Sequence, residues 1–273
     1  MSFQILCDSC CDFTATEKLG AAFEKVPATV TVSGQKFLDD GTFQQSQFLR
    51  SMEAESIELQ VEFPDEQAYL NAFDREADAV YIVTAAAASC DQYGVASRAR
   101  RMYLREHPEK QIHVFNTRSA GVGELLAARQ IRRMERYGCN FRQIVSRVEA
   151  DILTSNTYFM PSSPDSLRQI GLLPKKILPE KPFGIYQAVL EGGLSRPEAA
   201  FTEKGAGKKL AAMLENQNLQ NRLCLLSHCG CRERAQHLAG LLRQQTSASE
   251  IIILETGAVM SLLLHRGGIA LAF

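Results

Sequence analysis

Short apolar runs alternate with longer amphipathic stretches along the first half of the chain. Apolar runs that predict buried strands cover residues 3–7, 79–83 and 112–115. Helical periodicity follows over residues 93–105, 124–137 and 141–153. A hairpin is predicted where Ser33-Gly34 separates residues 28–32 from 35–38. Strands that alternate with helices indicate a parallel sheet with helices on its faces.

The pattern changes from about residue 157. Prolines become frequent, at Pro161, Pro164, Pro174, Pro179, Pro182 and Pro197. Glu191-Gly192-Gly193 between two extended stretches then predicts a hairpin. Helices are predicted over 203–214, 232–244 and 257–264, and strands over 223–227, 250–254 and 269–273. We therefore predict a parallel α/β domain over residues 1–155 and an α+β domain over residues 156–273.

The net charge and the lack of long apolar stretches exclude several classes of function. The chain has 273 residues and a net charge of −1. Because basic residues are not in excess, we expect binding neither to nucleic acid nor to an anionic membrane. No apolar stretch reaches the roughly 20 residues of a spanning helix, and stable membrane insertion is not expected. The N-terminus lacks the features of a signal peptide. We expect a cytoplasmic protein whose eight cysteines stay reduced.

Small polar residues follow the three predicted parallel strands. Asp8-Ser9 ends the first strand, Thr84 the second, and Asn116-Thr117-Arg118-Ser119 the third. Ligands of open α/β sheets bind beyond the carboxyl ends of strands, which predicts a small-molecule site facing the second domain. The alternative is that short turns favour Ser, Asn and Asp in any case.

Five weak motifs stand in a recognisable order. They are Asp8-Ser9; Val26-Pro27 with Gly34 and Asp39-Asp40; Asn116-Thr117-Arg118-Ser119 with Gly121 and Gly123; Lys181-Pro182 with Gly193; and His265-Arg266-Gly267-Gly268. In this order and spacing the chain resembles the DegV family of bacterial fatty-acid-binding proteins.

The resemblance implies a two-domain fold with a ligand tunnel between the domains. It implies that a long-chain fatty acid, or a related acyl ligand, lies in the apolar tunnel with its carboxylate near the domain junction. It further implies a non-catalytic protein without a cofactor, which presents the acyl carboxylate to a fatty acid kinase that makes acyl phosphate. In agreement, the sequence has neither a Gly-x-x-x-x-Gly-Lys-Ser/Thr loop nor a Gly-x-Gly-x-x-Gly turn after a strand.

Candidate ligand-binding residues follow from the resemblance and from the strand ends. They are Ser9, Ser89, Thr117, Ser119, His265 and Arg266, with Glu62 in the segment that aligns with the family's Thr-Ser-Gln-Pro. Arg168 is the nearest counterpart of the family's Gly-Gly-Arg arginine. The alternative roles are helix caps for the serines and helix-end charges for His265 and Arg266.

Two acids stand where the family carries hydroxyl donors. Glu62 lies in Val61-Glu62-Phe63-Pro64, and Asp91 in Ser89-Cys90-Asp91-Gln92-Tyr93. A carboxylate beside a fatty-acid carboxylate is repulsive unless one of them is protonated, so a neutral or differently shaped head group is a second hypothesis. A third is an enzyme that uses Glu62, Asp91 and His265 as acid–base groups in a polar pocket. A fourth is a DegV-like module that has lost fatty-acid binding.

Three residue clusters have open interpretations. Cys7 and Cys10 with His228-Cys229-Gly230-Cys231 are candidate zinc ligands or reduced core cysteines. The aromatic residues Phe63, Tyr69, Phe73 and Phe159 either line an acyl tunnel or belong to the core. Arginines concentrate on two predicted helices, at 98, 100, 101 and 105 and at 129, 132, 133 and 136. These two faces are either solvated or a docking surface for an acidic partner.

Overall fold

A computed structural model describes residues 2–12, 22–53, 57–73, 76–163, 167–168, 183–217 and 219–273. Its strands are β1 (Phe3–Cys7), β2 (Phe23–Lys25), β3 (Thr29–Val32), β4 (Gln35–Leu38), β5 (Leu59–Glu62), β6 (Ala79–Thr84), β7 (Gln111–Asn116), β8 (Thr157–Met160), β9 (Phe183–Ala188), β10 (Leu194–Ala200), β11 (Leu223–His228), β12 (Glu250–Glu255) and β13 (Ile269–Ala272). Its helices are α1 (Gln45–Ser51), α2 (Glu66–Ala72), α3 (Gln92–Glu106), α4 (Val122–Arg136), α5 (Phe141–Thr154), α6 (Glu203–Met213), α7 (Arg232–Gln245) and α8 (Ala258–Leu264).

The strands form three sheets. A four-stranded parallel sheet has the order β2-β1-β6-β7, and an antiparallel sheet of three strands has the order β4-β3-β5. A mixed sheet of six strands has the order β10-β9-β8-β13-β11-β12. The predicted mixed α/β class with a parallel sheet is confirmed. Within the described residues no helix is long and apolar enough to cross a bilayer.

Helices cover both faces of the parallel sheet. All six residues of β6 are buried, which explains why this strand is a continuous apolar run rather than an alternating one. Helix α3 packs on β6 and β7 through the small buried residues Ala96 and Ala99. Helix α4 packs on β1 and β6 and also on β11 and β13, so it connects the parallel sheet with the mixed one.

Several short strands and helices were not predicted from the sequence. The predicted strands and long helices all occur, but β2, β5, β8, α1 and α2 were not expected. Each has only three to seven residues, too few for a periodic pattern to stand out. Several of the prolines, Pro164, Pro174, Pro179 and Pro182, lie outside the described residues, as does Lys181.

The domain boundary near residue 155 stays a prediction. The parallel sheet uses strands before this position and the mixed sheet uses strands after it. The largest hydrophobic core nevertheless contains residues from both sides, such as Phe115 and Leu225.

Buried polar contacts join the two sides along a line that we call the polar seam, formed by Asp12, Lys25, Asp39 and Gln45. Asp12 accepts hydrogen bonds from the Ser227 hydroxyl at 2.6 Å and from the Gly257 amide at 3.0 Å. Asp39 pairs with Lys25 at 3.2 Å, with both side chains 1% exposed, and accepts from the Val259 amide.

Gln45 completes the seam from α1. Its side-chain amide donates to the carbonyls of His228 and Thr256, and its carbonyl accepts from the Gly230 amide at 2.9 Å. These bonds satisfy buried backbone groups of the mixed-sheet side with side chains from the other side. The seam therefore fixes α8 and the end of β11 against the parallel sheet.

Candidate functional site

A cavity of about 190 Å³ lies where the carboxyl edge of the parallel sheet faces the mixed sheet. One wall comes from the loops after β1, β6 and β7, with Cys10, Ala86, Ser89, Cys90, Arg118 and Ser119. This is the position that the small polar strand ends predicted for a ligand site.

The opposite wall is apolar. Helix α8 contributes Val259, Met260 and Leu264, and Phe159 of β8 and Phe63 after β5 also line the cavity. The tip of the β9–β10 hairpin closes one side, where Gly192 has a φ of +86°. A side chain at Gly192 would press on Ala88, with its Cβ 3.0 Å from that of Ala88. Glycine at this position thus lets the hairpin approach the loop after β6.

Arg118 is the one charged residue among the described residues that line the cavity. It has a positive φ of 55°, and its backbone amide donates to the Asn116 side chain at 3.1 Å. Its guanidinium donates to the Leu190 carbonyl at 3.1 Å, which directs the side chain toward the hairpin. Its neighbours Thr117 and Ser119 are predicted site residues, whereas Arg118 itself is not among them. The sequence signal that indicates such a residue is an arginine beside two hydroxyl residues at the end of a strand.

Ser89 and Ser119 are the predicted residues that do line the cavity. The Ser89 hydroxyl donates to the Ala86 carbonyl at 2.7 Å, which leaves its oxygen able to accept another hydrogen bond. Ser119 is buried and lies next to Arg118. Apart from thiols and backbone groups, the described wall therefore presents two hydroxyls and one guanidinium.

Ser9 and Thr117 lie behind this wall. The buried Ser9 hydroxyl accepts a hydrogen bond from the Ala28 amide, and the Thr117 hydroxyl donates to the Thr84 carbonyl at 2.8 Å. Neither residue lines the cavity. Both hold the strand ends that carry the cavity loops.

Three predicted site residues or acids, Glu62, Asp91 and Arg266, lie outside the cavity wall. Glu62 is exposed and accepts from Gln60, and Asp91 forms an exposed ion pair with Arg98 at 3.2 Å. Arg266 pairs with Glu53 at 2.6 Å, with both side chains more than half exposed. None of the three lines the cavity, so the repulsion expected between Glu62 or Asp91 and a bound carboxylate does not arise from this wall.

His265 and Arg168 adjoin the cavity without lining it. His265 is half-buried, caps the end of α8 with a φ of 55°, and follows the cavity residue Leu264. Arg168 follows another cavity residue, Leu167. Of the four aromatic candidates, Phe63 and Phe159 line the cavity, whereas Tyr69 and Phe73 belong to the core beneath α2 and α3.

Acids and thiols lie behind the loop after β1. Asp8 accepts from the amides of Cys10 at 2.8 Å and Ala85 at 2.7 Å, and burial raises its pKa. Burial and the nearby Asp8 carboxylate raise the pKa of the buried Glu124 well above its usual range. A hydrogen bond to Cys90 and burial raise the pKa of the Cys10 thiol. The raised pKa of Cys10 favours its uncharged form.

The cysteines form no cluster of the predicted kind. Cys7 and Cys10 are not gathered with His228, Cys229 and Cys231 among the described residues, and all eight cysteines are free thiols. One group within the described part of the chain has metal-ligand spacing: Asp8, Cys10 and Cys90, whose ligand atoms lie within 4.8 Å of one another. Both Asp8 oxygens already accept backbone hydrogen bonds, which gives this group a structural role.

The DegV family model matches residues 2–273. This chain belongs to the DegV family. A DegV-family structure from Ruminococcus gnavus, refined with vaccenic acid, is 29% identical with a TM-score of 0.92 and full coverage of both chains. A DegV-family structure from Eubacterium eligens loaded with heptadecanoic acid is 25% identical with a TM-score of 0.90, covering 99% of each chain.

A third similar structure is the Streptococcus pneumoniae fatty acid kinase B3 protein loaded with linoleic acid. It is 23% identical, with a TM-score of 0.90 over 100% of this chain and 99% of that one. The three-sheet architecture, with a cavity between the parallel sheet and the mixed sheet, is therefore a DegV fold. Ser89 lies in the described cavity wall, whereas Glu62 stands outside it.

Proposed function

We propose that this protein binds a long-chain fatty acid in the cavity and presents its carboxylate to a kinase partner. The observation that carries this proposal is an apolar cavity at the carboxyl edge of a parallel sheet, with Arg118 as the one charged residue of its described wall. Burial of the acyl chain contributes about 0.8 kcal/mol per methylene. The cavity residues Leu264, Met260 and Phe159 supply the apolar contacts.

Arg118, Ser89 and Ser119 are the proposed head-group residues. A guanidinium matches a carboxylate with two parallel N–H donors, and charge-assisted bonds of this kind are stronger than neutral ones. The hydroxyls of Ser89 and Ser119 lie on the same wall. Ser9 and Thr117 act as positioning residues through the bonds they make to Ala28 and Thr84. His265, Arg266 and Glu62 flank the cavity segments and belong to the surface offered to a partner.

One similar structure supports a kinase partner. The pneumococcal relative carries fatty acid kinase in its name, and this sequence has no phosphate-binding loop of its own. In the proposed reaction a carboxylate oxygen of the bound fatty acid attacks the γ-phosphoryl group of the kinase's nucleotide. Acyl phosphate forms and a nucleoside diphosphate leaves. The protein described here holds and orients the acyl group, in the cytoplasm, and supplies no catalytic group.

The head-group assignment is tested with Arg118→Gln and the matched control Arg101→Gln, an exposed arginine of α3. The dissociation constants of oleic acid and of its methyl ester are measured for each variant. We expect the unaltered protein and Arg101→Gln to prefer the acid about tenfold, which corresponds to 1.4 kcal/mol.

Arg118→Gln should abolish that preference and leave the affinity for the ester unchanged. A preference for the acid that survives in Arg118→Gln would contradict the assignment. Tighter binding of the ester by the unaltered protein would instead favour a neutral head group.

A further inference from the structure

A second concave surface lies at the far end of α4. This arginine groove, of about 880 Å³, is formed by the C-terminal halves of α4 and α5 and by the beginnings of β11 and β12. The N-terminal end of α4 follows the cavity residue Ala120, and its 15 residues correspond to about 22 Å of helix. The groove is thus separate from the acyl cavity, although one helix connects them.

The groove is strongly basic in a chain whose net charge is −1. Six arginines line it: Arg129, Arg132, Arg133, Arg136, Arg147 and Arg222. The acids of its described lining are Asp151 and Glu250. Asp151 is already engaged, since it pairs with Arg147 at 2.9 Å and accepts from Gln130 at 3.0 Å. Arg132 and Arg136 have no ion-pair partner among the described residues.

The groove also has an apolar floor and an exposed aromatic residue. Leu126, Val148, Ile152 and Phe273 line its base. Tyr137 is 76% exposed, and the Arg133 guanidinium lies 5.9 Å from its ring centroid. Arginine and tyrosine are the residues that dominate binding energy at protein–protein interfaces.

The geometry favours a protein segment over a compact phosphate. The C-terminal ends of α4 and α5 both line the groove, and helix C-termini carry partial negative charge. No helix N-terminus among the lining residues offers free amides to a phosphate. The α4 arginines are spread over about 10 Å of helix, which suits several separate carboxylates. We propose that the arginine groove docks an acidic protein segment with apolar residues interspersed.

The test compares two arginine pairs with the same spacing. Arg132→Ser/Arg136→Ser removes an i, i+4 pair from the groove, and Arg101→Ser/Arg105→Ser removes an exposed i, i+4 pair from α3, a helix of the same 15-residue length. Fluorescence anisotropy measures binding of a fluorescein-labelled peptide rich in glutamate and leucine, with a lysine-and-leucine peptide as the charge control.

We expect saturable binding of the acidic peptide, weakened about tenfold or more in the groove variant and less than about twofold in the α3 variant. The affinity for oleic acid should be equal in both variants, because the groove is remote from the cavity. Equal weakening in the two variants, or no saturable binding, would overturn the proposal. Inorganic triphosphate that binds the groove more tightly than the peptide would also overturn it, in favour of a phosphate site.

Discussion

The polar seam and the cavity lie at the same junction and are opposite in polarity. In the seam, Asp39, Lys25 and Asp12 are buried, and the two carboxylates accept hydrogen bonds from across the junction. In the cavity, the described wall is apolar apart from Arg118, two serines and two cysteine thiols. Both involve α8. The amides of Gly257 and Val259 at its start donate to the seam carboxylates, and Val259, Met260 and Leu264 line the cavity.

This difference explains how a cavity persists in a tightly packed interior. Protein interiors are close-packed, and an apolar void between two sheets tends to collapse unless its walls are held apart. Directional bonds from Asp12 and Asp39 to Gly257 and Val259 fix the start of α8. The helix then extends over the cavity as a rigid wall. Polar contacts thus determine geometry here, and apolar contacts determine what binds.

The largest expected effect comes from breaking the seam at Asp39. Asp39→Ala leaves the buried Lys25 ammonium without its partner, and removal of one member of a buried pair costs about 3–5 kcal/mol. Urea denaturation should show this loss in the free energy of unfolding. Glu53→Ala, which removes the exposed partner of Arg266, is the control and should change stability little. Similar values for the two variants would show that the seam does not hold the junction.

A smaller effect is expected from filling the cavity. Ala188 lines it, so the ring in Ala188→Phe should displace at least two methylenes of the ligand and cost about 1.6 kcal/mol of binding, more than tenfold in affinity. Leu190→Phe lies on the same hairpin but is exposed and outside the lining, and it should leave the affinity for oleic acid unchanged. Unchanged affinity in Ala188→Phe, with the fold intact by circular dichroism, would place the ligand elsewhere.

The seam should also give the stability a pH dependence. Burial raises the pKa of Asp12 to about 7, from an ordinary value of 3.8. The folded state therefore binds this proton more tightly than the unfolded state between those pH values. Its contribution to stability falls as the pH rises through that window, by at most about 1.4 kcal/mol per pH unit.

Asp12→Asn removes this dependence, because an amide does not titrate. Unfolding free energies measured from about pH 5 to about pH 7 should fall less steeply in Asp12→Asn than in the unaltered protein. The exposed Asp91→Asn should keep the original slope. Identical slopes in all three proteins would show that Asp12 does not titrate in this window.

Long apolar runs made much of the fold predictable from the sequence. The runs at β1, β6 and β7 have strong patterns because helices bury both faces of the parallel sheet. The strand β2 has three residues and the helix α2 has seven, and both contain polar residues. Only tertiary packing distinguishes such short elements from loops. The hairpin was predictable because Ser33-Gly34 contains a glycine between two apolar stretches. In the structure both residues have positive φ, as a type I′ turn requires.

The site was predictable in place but only partly in its residues. Strand ends indicated the carboxyl edge, and Ser89 and Ser119 do line the cavity. Burial of a charge cannot be read from a sequence, so Asp12, Lys25 and Asp39 gave no sign of forming a seam. Ser9 and Thr117 looked like ligand-binding hydroxyls because a hydroxyl that bonds to backbone has the same sequence signature.

Native mass spectrometry of the purified protein, followed by denaturing extraction and lipid analysis, tests the central claim most directly. The account predicts a bound long-chain fatty acid at one equivalent per chain, reduced in Ala188→Phe and retained in Leu190→Phe. A protein that carries no ligand and fails to take up added oleic acid would contradict it.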